Sequence, residues 1–377
     1  MKILIVMGGY FPGKNYGGPP VSTDNFCTLM ENNDCYIVTK NHDLGSKKKY
    51  LNIKKGWNDR GNCKVLYLSD NEYGYKRFEK VIEEIKPNVI YLQSLFQNCI
   101  IPCLKLSKKY SIPVLLALRG ELCKGAFKKK YKKIPYIYYL RMLDLLSNVD
   151  YQSTSDEETM AIKKYMAVDS NKIHHITNVP SIPAQNYIHK EKIKGRINIV
   201  FLSRIHPKKN LKGALSFLKN LNGEVIFDIY GPIEDKKYWE ECKNVGNSFK
   251  DNISINYCGL VSHERVHEIF SRYDVFLFPT FSENYGHVIV EALMVGTPVI
   301  ISDQTPWNDI QTCNAGWAIS LENSEIFERS LQKIIDMDEK EYDILSNASK
   351  NYIKEKTKLE LLRKKYNDLF NNLDSKI

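Results

Sequence analysis

Glu283 and Glu291 stand in FSENYGHVIVEALMVGTPVI with seven residues between them, one just before an apolar run and one inside it. If the whole stretch were helical, eight steps of ~100° would set them ~80° apart in azimuth and ~12 Å apart along the axis, so they would not act as a pair on one atom. The polar TFSEN follows the strand-like VFLFP, and Gly286 precedes HVIVEALMVG, where Val288, Ala292 and Val295 recur at helical spacing. This places Glu283 in a loop at the C-terminal end of a strand and Glu291 about two turns into the next helix. Two carboxylates so placed can grip distant hydroxyls of one elongated ligand, and free N–H groups from Tyr285 to His287 would favour a phosphate between them. The same spacing is met by a Glu283 that merely complements the helix dipole and a solvated Glu291.

INIVFLSRIHPKKNLKGALSFL repeats the strand, loop and helix arrangement. Arg204 follows directly on the strand, and Lys208 and Lys209 precede a helix that Asn210 can cap, with Ala214, Leu215 and Leu218 on its inner face. Cations at a helix N-terminus oppose the macrodipole, and a bound anion removes that conflict. A solvated basic turn fits the same letters. The loop GGYFPGKNYGGPPVST after the first strand lets backbone approach a ligand closely, yet it does not follow GxGxxG, so no dinucleotide fingerprint is read from it.

Two metal-like matches carry less weight. His263-Glu264-Arg265-Val266-His267 has the HExxH form, but Val266, Ile269, Phe270 and Tyr273 make the apolar face of that helix and leave both histidines toward its flank. Asp336-Met337-Asp338 follows the helix-like EIFERSLQKII and reads as an acidic turn between helices.

The elements that must hold these residues alternate. Strand-like runs at 2–7, 35–39, 88–92, 113–118, 197–202, 225–230, 275–279 and 298–302 are separated by helix-like segments, the pattern of parallel α/β sheets. At 377 residues two domains are expected: residues 1–178, a polar linker at 179–196, and 197–357, followed by a C-terminal helix at 358–377 that packs back on the first domain. That helix shows apolar residues at 361, 362, 366, 369 and 370. Ligands of open parallel sheets sit beyond the carboxyl ends of the strands, which makes a cleft between two facing domains the expected site. An apolar content of 43% and a charged content of 26% exclude a disordered chain. Nine scattered cysteines without a CxxC pair argue against a zinc ribbon or disulfide framework, and the short apolar start argues against a signal peptide or membrane span. A cytoplasmic protein is expected. The net charge of +10 calls for an anionic partner without naming it.

With Arg204, Lys209, the YGPIED turn and ENYGHVIVEALMVGTPVI together, the sequence resembles the group 1, or family 4, retaining glycosyltransferases of GT-B fold, whose signature is the E-x7-E pair. DQTPWNDIQTCNAGWAI resembles the branch with a TPW segment. The resemblance implies two Rossmann-like domains facing a cleft, with a nucleoside-diphosphate sugar as donor. Arg204 and Lys209 would hold the diphosphate, Glu283 the hydroxyls of the transferred sugar and Glu291 the ribose. Asn284, Tyr285, Gly286 and His287 would line the donor, the last two through backbone amides. Gly231 of the turn, Val261 near the base and the closing loop of Gly17 and Gly18 complete the set. Where many relatives have a histidine after the fourth strand, this chain has Arg119 in LRGEL. The implied chemistry is same-face substitution assisted by the leaving phosphate, with no metal or other cofactor.

KGAFKKKYKKIPYIYYLRML, residues 124–143, concentrates six lysines, one arginine and four tyrosines. It fits either peripheral contact with an anionic membrane, each basic residue contributing ~1 kcal/mol, or a solvated helix with tyrosines packed inward. Transferases of the resembled kind extend lipid-linked glycans, so the expected acceptor is a glycan or lipid-linked saccharide of bacterial surface polysaccharide. A sugar-nucleotide epimerase and a non-enzymatic nucleotide-sugar-binding protein are the alternatives. No base-reading module supports nucleic-acid binding.

Overall fold

The computed structural model describes residues 1–123, 127, 130–188, 191–246 and 249–375. The chain divides into two compact units, Met1–Val179 with Leu359–Ile377, and Pro180–Lys358.

In the first unit the order is β1 (Lys2–Val6), α1 (Gly18–Leu29), β2 (Asp34–Lys40), β3 (Trp57–Asp59), β4 (Lys64–Leu68), α2 (Tyr75–Ile85), β5 (Val89–Gln93), α3 (Ile100–Tyr110), β6 (Val114–Ala117), α4 (Lys130–Met142), β7 (Val149–Ser153), α5 (Asp156–Met166) and β8 (Ile173–His175). The sheet runs β3-β4-β2-β1-β5-β6-β7-β8, with β3 antiparallel to β4. Winding starts at β1, goes one way to β2 and β4, and then switches to β5 on the other side. β5 and β6 are buried along their whole length, as strands covered on both faces must be. α2 supplies one cover through Phe78, Val81, Ile82 and Ile85, which recur at helical spacing.

The second unit contains β9 (Arg196–Leu202), α6 (Leu211–Ser216), β10 (Glu224–Tyr230), α7 (Lys236–Gly246), β11 (Ile253–Gly259), α8 (Val266–Phe270), β12 (Val275–Phe278), α9 (His287–Met294), β13 (Val299–Ser302), β14 (Gly316–Ile319), α10 (Ser324–Asp336) and α11 (Glu339–Thr357). Its strands are parallel in the order β11-β10-β9-β12-β13-β14, which puts the topological switch between β9 and β12.

The last helix, α12 (Leu359–Asp374), belongs to the first unit. Leu362, Tyr366, Leu369, Phe370 and Leu373 enter a core that also holds Phe26 and Tyr91. Leu361, expected on the apolar face, is exposed, and Leu373 takes that place. The Tyr366 hydroxyl donates to Thr177 O at 3.0 Å and accepts from Gln152 Nε2 at 2.8 Å, so the buried polar side of β7 is satisfied from the far end of the chain.

The segment expected as a polar linker holds no helix or strand among its described residues up to Gly195, but it is not a loose tether. Lys192 is buried: its ammonium donates to Ile193 O at 2.8 Å and Arg196 O at 2.6 Å, and its backbone N–H donates to Glu339. These bonds fasten the segment to the second unit.

Candidate active site at the switch point of the second unit

Loops leaving β9, β12 and β13 meet at the carboxyl ends of those strands. After β9, Ser203 N–H donates to Tyr230 O at 3.0 Å and Ile205 N–H to Pro232 O at 2.9 Å. The crossing is so close that a Cβ on Gly231 would lie 1.9 Å from Ser203 O, and its φ of +132° lies where other residues are strained. Gly231 is therefore required by the backbone itself. The chain then makes a short 3-10 turn, Pro207–Lys209, and Asn210 caps α6 by accepting from Gly213 N–H at 3.2 Å. The Asn210 amide donates to Pro279 O at 2.9 Å, and Phe281 N–H and the Thr280 hydroxyl both donate to Lys208 O. Together these bonds lock the β9 and β12 loops together.

The consequence is a direct pair between Lys209 and Glu283, 74 positions apart in sequence. Both are largely enclosed, with side chains 12% and 15% exposed, and the ammonium lies 5.3 Å from the centre of the Phe278 ring. Arg204, by contrast, turns to Glu234 at 2.6 Å in the more exposed turn after β10. The structure thus joins Lys209 to Glu283 and leaves Arg204 on a different carboxylate. Glu283 N–H donates to Gln304 O at 3.0 Å. Gly286, at φ +76°, begins α9 with no side chain capping it, so the first amides of that helix lack intrahelical acceptors.

Glu291 is the fifth residue of α9, nearer one turn than two from its start, and it is 3% exposed. The solvated alternative is thereby corrected: Glu291 points into protein. Its carboxylate lies 3.8 Å from His263 Nδ1. Burial pushes the carboxyl above the usual range, and His263 pulls in the opposite direction.

Residues 184–352 match the family model described as glycosyl transferases, group 1. The matched stretch lies within the second unit. Over 298 residues it is 27% identical to a 41.2 kDa protein in the cps region of Klebsiella pneumoniae, covering 73% of this chain and 75% of that one. Among solved structures it is similar to Anabaena HepE in complex with UDP-glucose, with a TM-score of 0.73 at 12% identity over 99% of this chain and 100% of that one. It is also similar to WaaG, a glycosyltransferase involved in lipopolysaccharide biosynthesis, with a TM-score of 0.65 at 13% identity over 98% and 99%. Two α/β parallel-sheet units resembling those of GT-B glycosyltransferases are the fold.

Within the matched stretch, Val261 is half-buried against the core just after β11, and His287 opens α9 with its ring 4.8 Å from Tyr285. The HERVH run is not one helix: His263 lies on a 3-10 turn and His267 in α8. His267 is buried beside Tyr187, and desolvation lowers its pKa to about 4, so it is neutral at pH 7. Among the described residues no group of three His, Cys, Asp or Glu side chains is placed to hold a metal ion. Asp336 ends α10, and Asp338 caps α11 in a capping box with Glu341. Sequence reasoning passed over Gln304 and weighed His263 only as part of a metal-like match, because neither its contact with Glu291 nor that of Gln304 with Glu283 is local.

Arg119, Gly17 and Gly18 belong to the first unit. Gly17, at φ +71°, immediately precedes α1, which begins at Gly18. The Arg119 guanidinium is taken up by three acceptors of its own unit: Gln93 Oε1 at 2.8 Å, the Tyr91 hydroxyl at 3.1 Å and Asn178. Tyr91 donates in turn to Gln152, so Arg119 has a structural role that the sequence reading did not include. In the basic segment, Lys124, Lys128 and Lys129 lie outside the described residues. The inward packing expected as an alternative for its tyrosines holds only for Tyr136, against Phe96. Tyr131, Tyr138 and Met142 of α4 are 71%, 67% and 67% exposed, while Ile137 and Leu140 face the core. No described helix is long and apolar enough to cross a membrane.

Proposed function

We propose that the protein is a retaining glycosyltransferase that moves a sugar from a nucleoside-diphosphate donor to a glycan or lipid-linked acceptor during bacterial surface polysaccharide assembly. The observation that carries this reading is the enclosed Lys209–Glu283 pair at the switch point, next to the uncapped start of α9. As the nucleoside diphosphate leaves, negative charge grows on its phosphates and positive character on the sugar. Lys209 and the α9 amides meet the first, and the Glu283 carboxylate accepts hydrogen bonds from the sugar hydroxyls. In the absence of donor, lysine and glutamate satisfy each other; the donor offers each a new partner, so neither charge is left buried and unpaired. Arg204 exchanges Glu234 for phosphate, and Glu291 accepts from the ribose. Fixed cations and amides supply the electrostatic stabilisation, and the reaction needs no divalent metal.

The relative in a cps region and the similarity to a lipopolysaccharide enzyme support the polysaccharide context. The exposed Tyr131, Tyr138 and Met142 of α4, with Lys132 and Arg141 among them, support contact with an anionic membrane that presents the acceptor.

The test measures initial rates with and without excess EDTA, beside Arg204→Ala and Lys209→Ala. Rates indifferent to EDTA and a loss of about a hundredfold or more in each variant are expected, since each removes a charge-assisted contact to the leaving group. Activity abolished by chelation and restored by manganese, with both variants near wild type, would overturn the phosphate assignment. NMR of the product checks the stereochemistry, and inversion at the anomeric carbon rules out the retaining mechanism.

A further inference from the structure

The turn Gln304-Thr305-Pro306-Trp307 after β13 runs beside the loop that carries Glu283. Two bonds join them. Gln304 O accepts from Glu283 N–H at 3.0 Å, and the Trp307 indole N–H donates to Tyr285 O at 2.6 Å. The indole is buried, with its ring 5.5 Å from that of Tyr285 and 6.4 Å from that of Tyr352. Thr305 Oγ1 accepts the Trp307 backbone N–H at 3.3 Å, and Pro306 fixes its own φ, so the turn is stiff on its own account. It is also fastened to a long helix: Asp309 accepts from the Tyr352 hydroxyl at 2.7 Å and pairs with Lys356, both on α11.

We propose that Trp307 is a positioning residue for sugar transfer, holding the Tyr285 carbonyl, and through it the Glu283 carboxylate, at a fixed place relative to α11. The proposal rests on the reading of Glu283 as the contact to the transferred sugar. A loop between a strand and a helix has small freedoms of its own, and a misplacement of about 1 Å at a reacting group can cost a hundredfold in rate. Tryptophan suits the position because its indole is a donor only, rigid, and long enough to reach across from one loop to a carbonyl of the other. The TPW letters then have a physical meaning: threonine shapes the turn, proline stiffens it, and tryptophan clamps the neighbouring loop.

The experiment compares wild type, Trp307→Phe, Glu283→Gln and the double variant. The probe is whichever of UDP, GDP, ADP and dTDP stabilises the wild-type protein most, used alone and as its glucose conjugate, with affinities from calorimetry. The quantity read is the ratio of the two affinities, which isolates the sugar's contribution. Phenylalanine fills the ring space without the N–H, so Trp307→Phe should keep nucleoside-diphosphate affinity within about twofold and cut the sugar's contribution roughly tenfold, the effect of one lost hydrogen bond. The double variant should lose no more than Glu283→Gln alone, because both changes act through one contact. A Trp307→Phe protein that keeps the sugar's contribution, or that weakens both ligands equally, overturns the proposal. If Glu283→Gln leaves that contribution intact, the reading of Glu283 itself fails and the proposal with it. Should Trp307→Phe not fold, Asp309→Asn loosens the same clamp at a partly exposed position and carries the same expectation.

Discussion

Glu291 shows what a buried carboxylate costs the fold that carries it. Its folded pKa is raised by burial, so folding favours the protonated form over the charged one. The stabilising contribution of such a group is complete below its ordinary pKa and is lost as pH rises through the raised value. At neutral pH the charge therefore weighs against folding. Glutamine cannot ionise, and Glu291→Gln is expected to raise Tm of the ligand-free protein at pH 7 by roughly 2–4 °C, with the two melting curves converging as pH is lowered toward the acid side of that titration. Nucleoside-diphosphate affinity should fall in the same variant. Differential scanning fluorimetry across pH checks the first part, and an Glu291→Gln protein that melts lower than wild type at pH 7 contradicts it. At this scale the sequence was informative about residue types and poor about pairing. The E-x7-E spacing marked both glutamates, but the spacing within one segment says nothing of Lys209, which reaches Glu283 from the loop after the neighbouring strand β9.

Elements were legible where burial on both faces demanded an unbroken apolar run, as in β1, β5, β9 and β12. They were illegible where polar letters are buried in pairs or where a strand lies at an edge. VDYQS of β7 is buried throughout, yet Asp150 meets His174 at 2.6 Å and Gln152 meets Tyr91 and Tyr366, so its polarity reports partners and not exposure. ISINYCG of β11 is an edge strand with much of its surface open, and it was not among the strand-like runs read from the sequence. α4 inverts the usual rule, with apolar side chains on both its inner and outer faces. Its lysines are not equivalent, because the Lys133 ammonium already donates to Glu121 O at 3.1 Å and lies 4.6 Å from the Phe96 ring centre. Removing Tyr138 and Met142 tests the outer face alone. The pair Tyr138→Ser and Met142→Ser should weaken binding to vesicles of anionic phospholipid by about tenfold or more, since only two methylene-sized groups buried at ~0.8 kcal/mol each already account for that, and leave Tm unchanged. Co-sedimentation equal to wild type would show that the outer face does not enter the bilayer interface.

For the molecule as a whole, the two-unit division was legible from a doubled set of strands, the last helix was expected to return to the first unit, and the structure adds the core residues that this helix contributes there. Tyr366 shows how firmly α12 belongs there. Tyr366→Phe leaves Gln152 Nε2 and Thr177 O each short of a partner in a buried place, and should cost about 1–3 kcal/mol in the first unit only. Denaturant unfolding followed by probes in each unit checks this, and an equal shift in both transitions contradicts it. The same helix also sets an order of events during synthesis. Chains emerge from the ribosome N-terminus first, and domains encoded early usually fold early. Here residues 180–358 are a complete unit before Leu362, Tyr366, Leu369, Phe370 and Leu373 have been made, whereas residues 1–179 still lack part of their core. The unit encoded second is thus the first that can mature, and the unit begun first waits on α12.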